Sequence, residues 1–341
     1  MYNAGRQFIG LWLLLCLGAV AGLGQQSPPE MPAPKAGGIK SKPGMPFPRP
    51  GRVDPPNPGE TSEKSIAIDP NAAIQLCVLD GRLRVNGWNR SEMRVFVREG
   101  SHINVRVLEK SADSDKPVWV LIASEGKPGA GPECLSGDLI EIDAPTGASF
   151  IVKGRTTQMR FDTIKKVEAY NVEGSIALRN IPGGITASNS QGGVTVENSG
   201  GSISLESSTG NIVAYEVTPG KVGDVFKAKT NSGAISLQRV EHRQIEARSV
   251  TGSLLFDGKF LTGGLYNFRT SNGAIRLMIP HDSSCTIKAA YGFGLFNSEL
   301  PMEVLTETVA QGGKSLVAKM ASGNATVNLT TSSGSIGIRK Q

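Results

Sequence analysis

Three glutamates, Glu197, Glu206 and Glu216, recur at intervals of nine and ten residues in a glycine-rich stretch. Carboxylates stacked on neighbouring turns of a β-helix are what a polysaccharide-cleaving site needs, one as acid and one as base or nucleophile. The flanking pattern is absent: no Asp-Asp pair occurs, and no Gly-His-Gly or Arg-x-Lys element borders them. Isolated acids on solvent-facing strand positions are the commoner case. Gln311-Gly312-Gly313-Lys314-Ser315 ends like a phosphate-binding loop, but Thr308 stands where that motif needs its first glycine, so a hairpin turn is expected. Gly192-Gly193-Val194 and Gly200-Gly201-Ser202 lack the aspartate of calcium-binding β-rolls. No Gly-x-Ser-x-Gly elbow is present. His102, His242 and His281 lie far apart, and no Cys-x-x-Cys spacing accompanies them. Trp88 and Trp119 both fall before the repeats, where Trp88 reads as a packing residue after a turn rather than a sugar platform. The residues therefore name no catalytic group, no metal ligand and no cofactor, and leave the binding residues unknown.

The elements that would carry any site begin with a targeting segment over residues 1–24. Arg6 is its positive charge, Phe8 to Leu17 its apolar run, and Ala19-Val20-Ala21 or Gly22-Leu23-Gly24 its cleavage site. The run is too short to span a bilayer comfortably, so no transmembrane segment is expected after cleavage. Cys16 follows Leu15 inside that run, which is not lipobox placement. Residues 25–60 hold 11 of the 20 prolines and predict an extended linker, since proline fixes φ and removes a backbone donor. The formal charge of +6 is dispersed, a weak footprint for nucleic acid, and no nucleic-acid partner is expected.

Export removes Cys16 and leaves Cys77, Cys134 and Cys285. Three cysteines cannot all pair within one chain. Cys285 alternates with Ile287 and Ala289 and should share their buried face. Cys77 lies on the face opposite Leu76 and Val78, and Cys134 falls in a Gly- and Pro-rich loop free to reach a neighbouring strand. A Cys77–Cys134 disulfide with Cys285 reduced is expected. The alternative is three separate buried thiols.

Residues 61–145 read as an N-terminal run of short strands, with Gly81 and Gly87 as turns bounding one of them. Residues 146–341 repeat a glycine followed by alternating apolar residues, as in Gly233-Ala234-Ile235-Ser236-Leu237 and Gly273-Ala274-Ile275-Arg276-Leu277. Early glycines recur every 8 to 10 residues and later ones about every 20, so a rung of two strands is expected. Glycine permits a sharp corner, and the residues two and four further on share one face. Ser, Thr and Asn before the glycine are expected to satisfy local backbone groups. Ile176, Val194, Ile203, Ile235, Ile275 and Ile336 are predicted inward. One rung cannot bury its apolar face alone, but stacked rungs can. The fold class is all-β, a β-solenoid of stacked repeats; the competing architecture is an antiparallel β-sandwich.

Four stretches are similar to one known family. They are Leu79-Asp80-Gly81-Arg82-Leu83-Arg84-Val85-Asn86-Gly87-Trp88, Ile142-Asp143-Ala144-Pro145-Thr146-Gly147-Ala148-Ser149, Arg269-Thr270-Ser271-Asn272-Gly273-Ala274-Ile275 and Thr330-Thr331-Ser332-Ser333-Gly334-Ser335-Ile336. In this order they resemble the bacterial toastrack group of adhesin-like proteins over roughly residues 64–341. The resemblance implies an extracytoplasmic β-solenoid-like domain, with no agreed activity and no catalytic residues to carry over. The expected function is a non-catalytic, exported module of the cell envelope, periplasmic or at the cell surface, binding an envelope protein or surface polymer. The alternative is a polysaccharide-active β-helix enzyme.

Overall fold

The computed structural model describes residues 61–108, 118–125, 133–220 and 223–341. The expected signal segment, residues 1–24, and the proline-rich linker, residues 25–60, lie outside the described residues. Among the described residues there is no helix, and 25 strands join in one rolled, mostly parallel sheet.

A representative rung runs along Gln244–Thr251, turns at Gly252 and continues as Leu254–Asp257. The next runs along Leu265–Asn272, turns at Gly273 and continues as Ile275–Ile279. First legs stack on first legs, with Ile245 opposite Phe226 and Tyr266. Second legs stack on second legs, with Leu254 opposite Ile235 and Ile275. The two stacks form two columns that face each other across the core. Parallel, in-register pairing in both columns sets aside the antiparallel sandwich. The six predicted inward residues, Ile176, Val194, Ile203, Ile235, Ile275 and Ile336, are all buried. Each contributes about 1.5–3 kcal/mol by leaving water.

The two glycine periods have one cause. Gly174, Gly192 and Gly210 are corners 18 residues apart, and Gly184 and Gly201 sit in the loops between rungs. The corner needs glycine for space as well as for φ. At Gly192, φ is +124°, and an added Cβ would lie 1.9 Å from the Gly174 carbonyl oxygen of the rung beside it.

Three residues before successive corners stand Asn189, Ser207, Thr230, Ser249, Thr270 and Thr331, all buried. Each donates to the carbonyl of the corner glycine one rung back, from Gly174 to Gly273, at 2.6 to 3.1 Å. These side chains do not satisfy their own turn, as the sequence suggests; they tie each corner to its neighbour. Each such bond is worth about 1 kcal/mol net, and leaving the buried carbonyl unpaired would cost more.

Order in space departs from order in sequence at both ends. Ala73–Trp88 lies between the rung of Trp119–Ser124 and Leu135–Pro145 on one side and Ser149–Asp162 on the other. It is one continuous strand through Gly81, at φ +101°, so this glycine is a corner within a strand rather than its end. At the other end Ala325–Ser333 and Ile336–Lys340, the last strands in sequence, insert between the Leu265–Ile279 rung and the strands Cys285–Phe293 and Phe296–Ser298.

Candidate functional site

The three glutamates do not converge. Glu206 lies on the first column and is paired with Lys229 at 2.8 Å. Glu197 lies on the second column, 3.9 Å from Arg179. Glu216 stands within the second-column strand Ile212–Thr218, at a position of φ +53° that the pairing skips, and bonds Arg239 at 2.7 Å. Each carboxylate has its own cation, and Glu206 is separated from the other two by the core. Gln311 and Gly312 form the turn between the antiparallel strands Glu303–Ala310 and Gly313–Met320, which places Lys314 within a β-ladder. Among the described residues no three of His, Cys, Asp and Glu gather as a metal-ligand set. Trp88 donates its indole N–H to the Glu92 carbonyl at 2.7 Å with the Arg90 guanidinium over its ring, while Trp119 is partly exposed.

Cys77 and Cys134 are joined, with Cα atoms 4.8 Å apart. The bond staples Ala73–Trp88 to the start of Leu135–Pro145, adjacent strands in space that 57 residues of chain separate. Cys285 is a buried free thiol, 3.9 Å from the Met320 sulfur, and burial pushes its pKa up to about 11. It therefore stays protonated and acts as a small core residue.

A broad concave surface of varied chemistry lies along the loops that leave the second column. Four successive strand ends and loops form a groove of about 870 Å³ at Lys165, Asn180, Pro182, Asn198, Ser199 and Thr218, floored by glycines. Asn180 and Asn198 adopt left-handed backbone, φ +56° and +43°, which asparagine tolerates better than most residues. Their amides form a ladder along the rim, Asn180 donating to Asp162 at 2.7 Å and Asn198 to Asn180 at 2.6 Å. The lining thus offers amides, hydroxyls, proline rings and one ammonium group, and none of its side chains is a carboxylate, imidazole or thiol. Such a surface can hold a neutral or weakly anionic polar chain but supplies no proton shuttle of its own. Sequence reasoning missed it, because its residues come from loops about 18 positions apart. The recurring Asn180 and Asn198 were the available signal.

Behind this groove His242 is buried, with Nε2 2.8 Å from the Gly201 carbonyl and no partner for Nδ1. Burial lowers its pKa below 6.5, against the opposing pull of the Gly201 carbonyl and Asp224. Protonation would place a second N–H on Nδ1 with no acceptor. Below pH 6.5 the unfolded chain then binds more protons than the folded one, so stability is complete above that pH and is lost as pH falls through the window towards the depressed folded value. The urea midpoint is therefore expected to drop between pH 7.5 and pH 5. In His242→Gln the drop should shrink; an unchanged pH dependence in the variant would assign it to other groups.

A stack of two-strand parallel rungs, closed by corner glycines and tied by an inner polar ladder, makes this molecule a β-solenoid. The chain belongs to the Toastrack DUF4097 family, whose model matches residues 162–339. No curated protein matches it. A solved structure described as a "putative cell adhesion protein" from Clostridium sporogenes ATCC 15579 is similar at 13% identity, over 83% of this chain and 100% of its own, with a TM-score of 0.27.

Proposed function

We propose that this chain is an exported, non-catalytic binding module of the cell envelope, which holds an envelope protein or surface polymer in the loop groove at Asn180, Asn198 and Thr218. The groove's chemistry carries the reading: a long concave surface of amides, hydroxyls and proline rings on a rigid stack, with no acid–base pair in its lining. Export is supported by the Arg6, Phe8–Leu17 and Ala19–Ala21 pattern and by a disulfide, which persists in oxidising compartments. Among the described residues no helix is long and apolar enough to cross a membrane.

The test expresses the full chain with its leader, recovers it from the envelope fraction and measures binding to purified envelope polysaccharide and envelope protein. The recovered chain should begin after Ala21 or Gly24. Thr218 is exposed at the groove, so Thr218→Trp should fill the groove, leave the melting temperature unchanged and weaken binding about tenfold or more. An intact Met1 would overturn cleavage, and equal binding by the variant would overturn the groove. Release of reducing sugar ends, abolished by Glu206→Gln, would replace this reading with the polysaccharide-active one.

A further inference from the structure

The two ends of the solenoid are stepped in opposite senses. At the C-terminal end the first column continues past Cys285–Phe293 by two antiparallel strands, Gly313–Met320 and then Glu303–Ala310. The second column stops at Phe296–Ser298. Leu316, Ala318 and Met320 of the inner added strand are buried, in one apolar cluster with Leu300 and the half-buried Met302. The outer strand is covered by nothing among the described residues. All eight residues of Glu303–Ala310 are exposed, Val304 at 53%, Leu305 at 51% and Val309 at 69%. At the N-terminal end the step is reversed. Beyond Trp119–Ser124 the first column gains one strand, Ile103–Leu108. Beyond Leu135–Pro145 the second column gains two, Glu92–Gly100 and Ser62–Ala67. One end therefore overhangs on the first column, and the other on the second.

The registers show which side chains the two overhangs turn towards the core side. On Glu303–Ala310 these are Val304, opposite buried Ala318, Glu307, opposite buried Leu316, and Val309, opposite Lys314. On Ser62–Ala67 they are Ser62, Lys64 and Ile66, opposite buried Val97, Val95 and Met93. The inner row of each edge strand thus carries apolar surface and one charge, Glu307 at one end and Lys64 at the other. Neither Lys64 nor Glu307 makes an ion pair within the chain among the described residues. An inward charge on an edge strand ordinarily blocks pairing. Here the opposite signs forbid like ends from meeting, since two C-terminal ends would oppose Glu307 to Glu307, and favour unlike ends. Strand direction agrees. Glu303–Ala310 runs parallel to the first-column strands and Ile103–Leu108 antiparallel to them, so copies stacked in the same sense would join these edges in an antiparallel ladder. The exposed Arg106 and Glu303 then share the outward row.

We propose that copies of this chain associate head to tail through this stepped joint. Glu303–Ala310 of one copy adds to Ile103–Leu108 of the next, and the Ser62–Ala67 strand of that next copy covers its inner row, with Lys64 against Glu307. The contact is heterologous, so it builds an open row rather than a closed dimer. Sedimentation velocity of the full chain over a range of concentrations should show species of increasing mass without a fixed stoichiometry. Glu307→Lys and Lys64→Glu should each weaken association about tenfold or more. An equimolar mixture of the two variants should restore it, because every junction then pairs opposite charges; this also shows that both variants are folded. A monomer at all concentrations, a single closed dimer, unaffected single variants or a mixture that fails to associate would each overturn the proposal.

Discussion

Ile235→Asp is expected to unfold the repeat region or lower its stability by about 4 kcal/mol or more, while Ser236→Asp stays within about 0.5 kcal/mol of the parent. Ile235 is buried two residues after a corner glycine, with Ile212 on the rung before and Leu254 on the rung after. A carboxylate there loses the transfer energy of the isoleucine and also needs a cation that the apolar stack does not contain. Protonation would remove the charge but leave a polar group among aliphatic neighbours. Ser236, one residue on, points outward and is only half-buried. Each rung depends on its neighbours, so the damage at Ile235 should spread along the stack rather than stay local. Thermal melts of the two variants decide it. Equal melting temperatures would show that the facing is wrong.

Gly192→Ala should cost several times more than Gly312→Ala, although both glycines hold positive φ. Gly312, at +101°, tips the hairpin between Glu303–Ala310 and Gly313–Met320, and an added Cβ meets nothing within 4 Å. Alanine there incurs only the backbone strain, about 1–2 kcal/mol. Gly192, at +124°, would drive its Cβ to 1.9 Å from the Gly174 carbonyl oxygen. That oxygen already accepts a hydrogen bond from Asn189 at 2.6 Å. Relief requires two rungs to separate, which also strains the hydrogen bonds between them. The expected loss is about 4 kcal/mol or more. Denaturant melts of both variants test this. A Gly192→Ala variant no weaker than Gly312→Ala would mean that the corners are not in close backbone contact.

Much of this architecture was legible because strand geometry is local. Alternation along Ile235-Ser236-Leu237 assigns faces without knowledge of the neighbours, and the same rule puts Cys285 inside with Ile287 and Ala289. The two-strand rung followed from glycine spacing, since a corner needs a residue without a Cβ wherever it occurs. The side chain three places before each corner was visible as a residue type but not as a role. Its acceptor is a carbonyl on another rung, and a local reading of Thr230 or Thr270 finds only a turn former.

The amino-acid sequence by itself determined the all-β class and the inward face of the repeat strands, because these are set by residues within a few positions of one another, and the period of the rung and the family, because short local motifs recur in a fixed order along the chain. Only the tertiary structure decided which rung lies beside which. Ala325–Lys340 enters between two earlier elements, and Ala73–Trp88 separates the rung of Trp119–Pro145 from Ser149–Asp162. Parallel strands with the same apolar pattern can pair in many orders, and the choice among them is made by how the ends close and not by any single strand. The same level of organisation split Glu197 and Glu216 from Glu206, gathered Asn180, Asn198 and Thr218 into one groove, and left Lys64 and Glu307 on opposite steps. Each of these arrangements depends on residues that are distant in the chain and become neighbours, or are kept apart, only through the stacking of whole rungs.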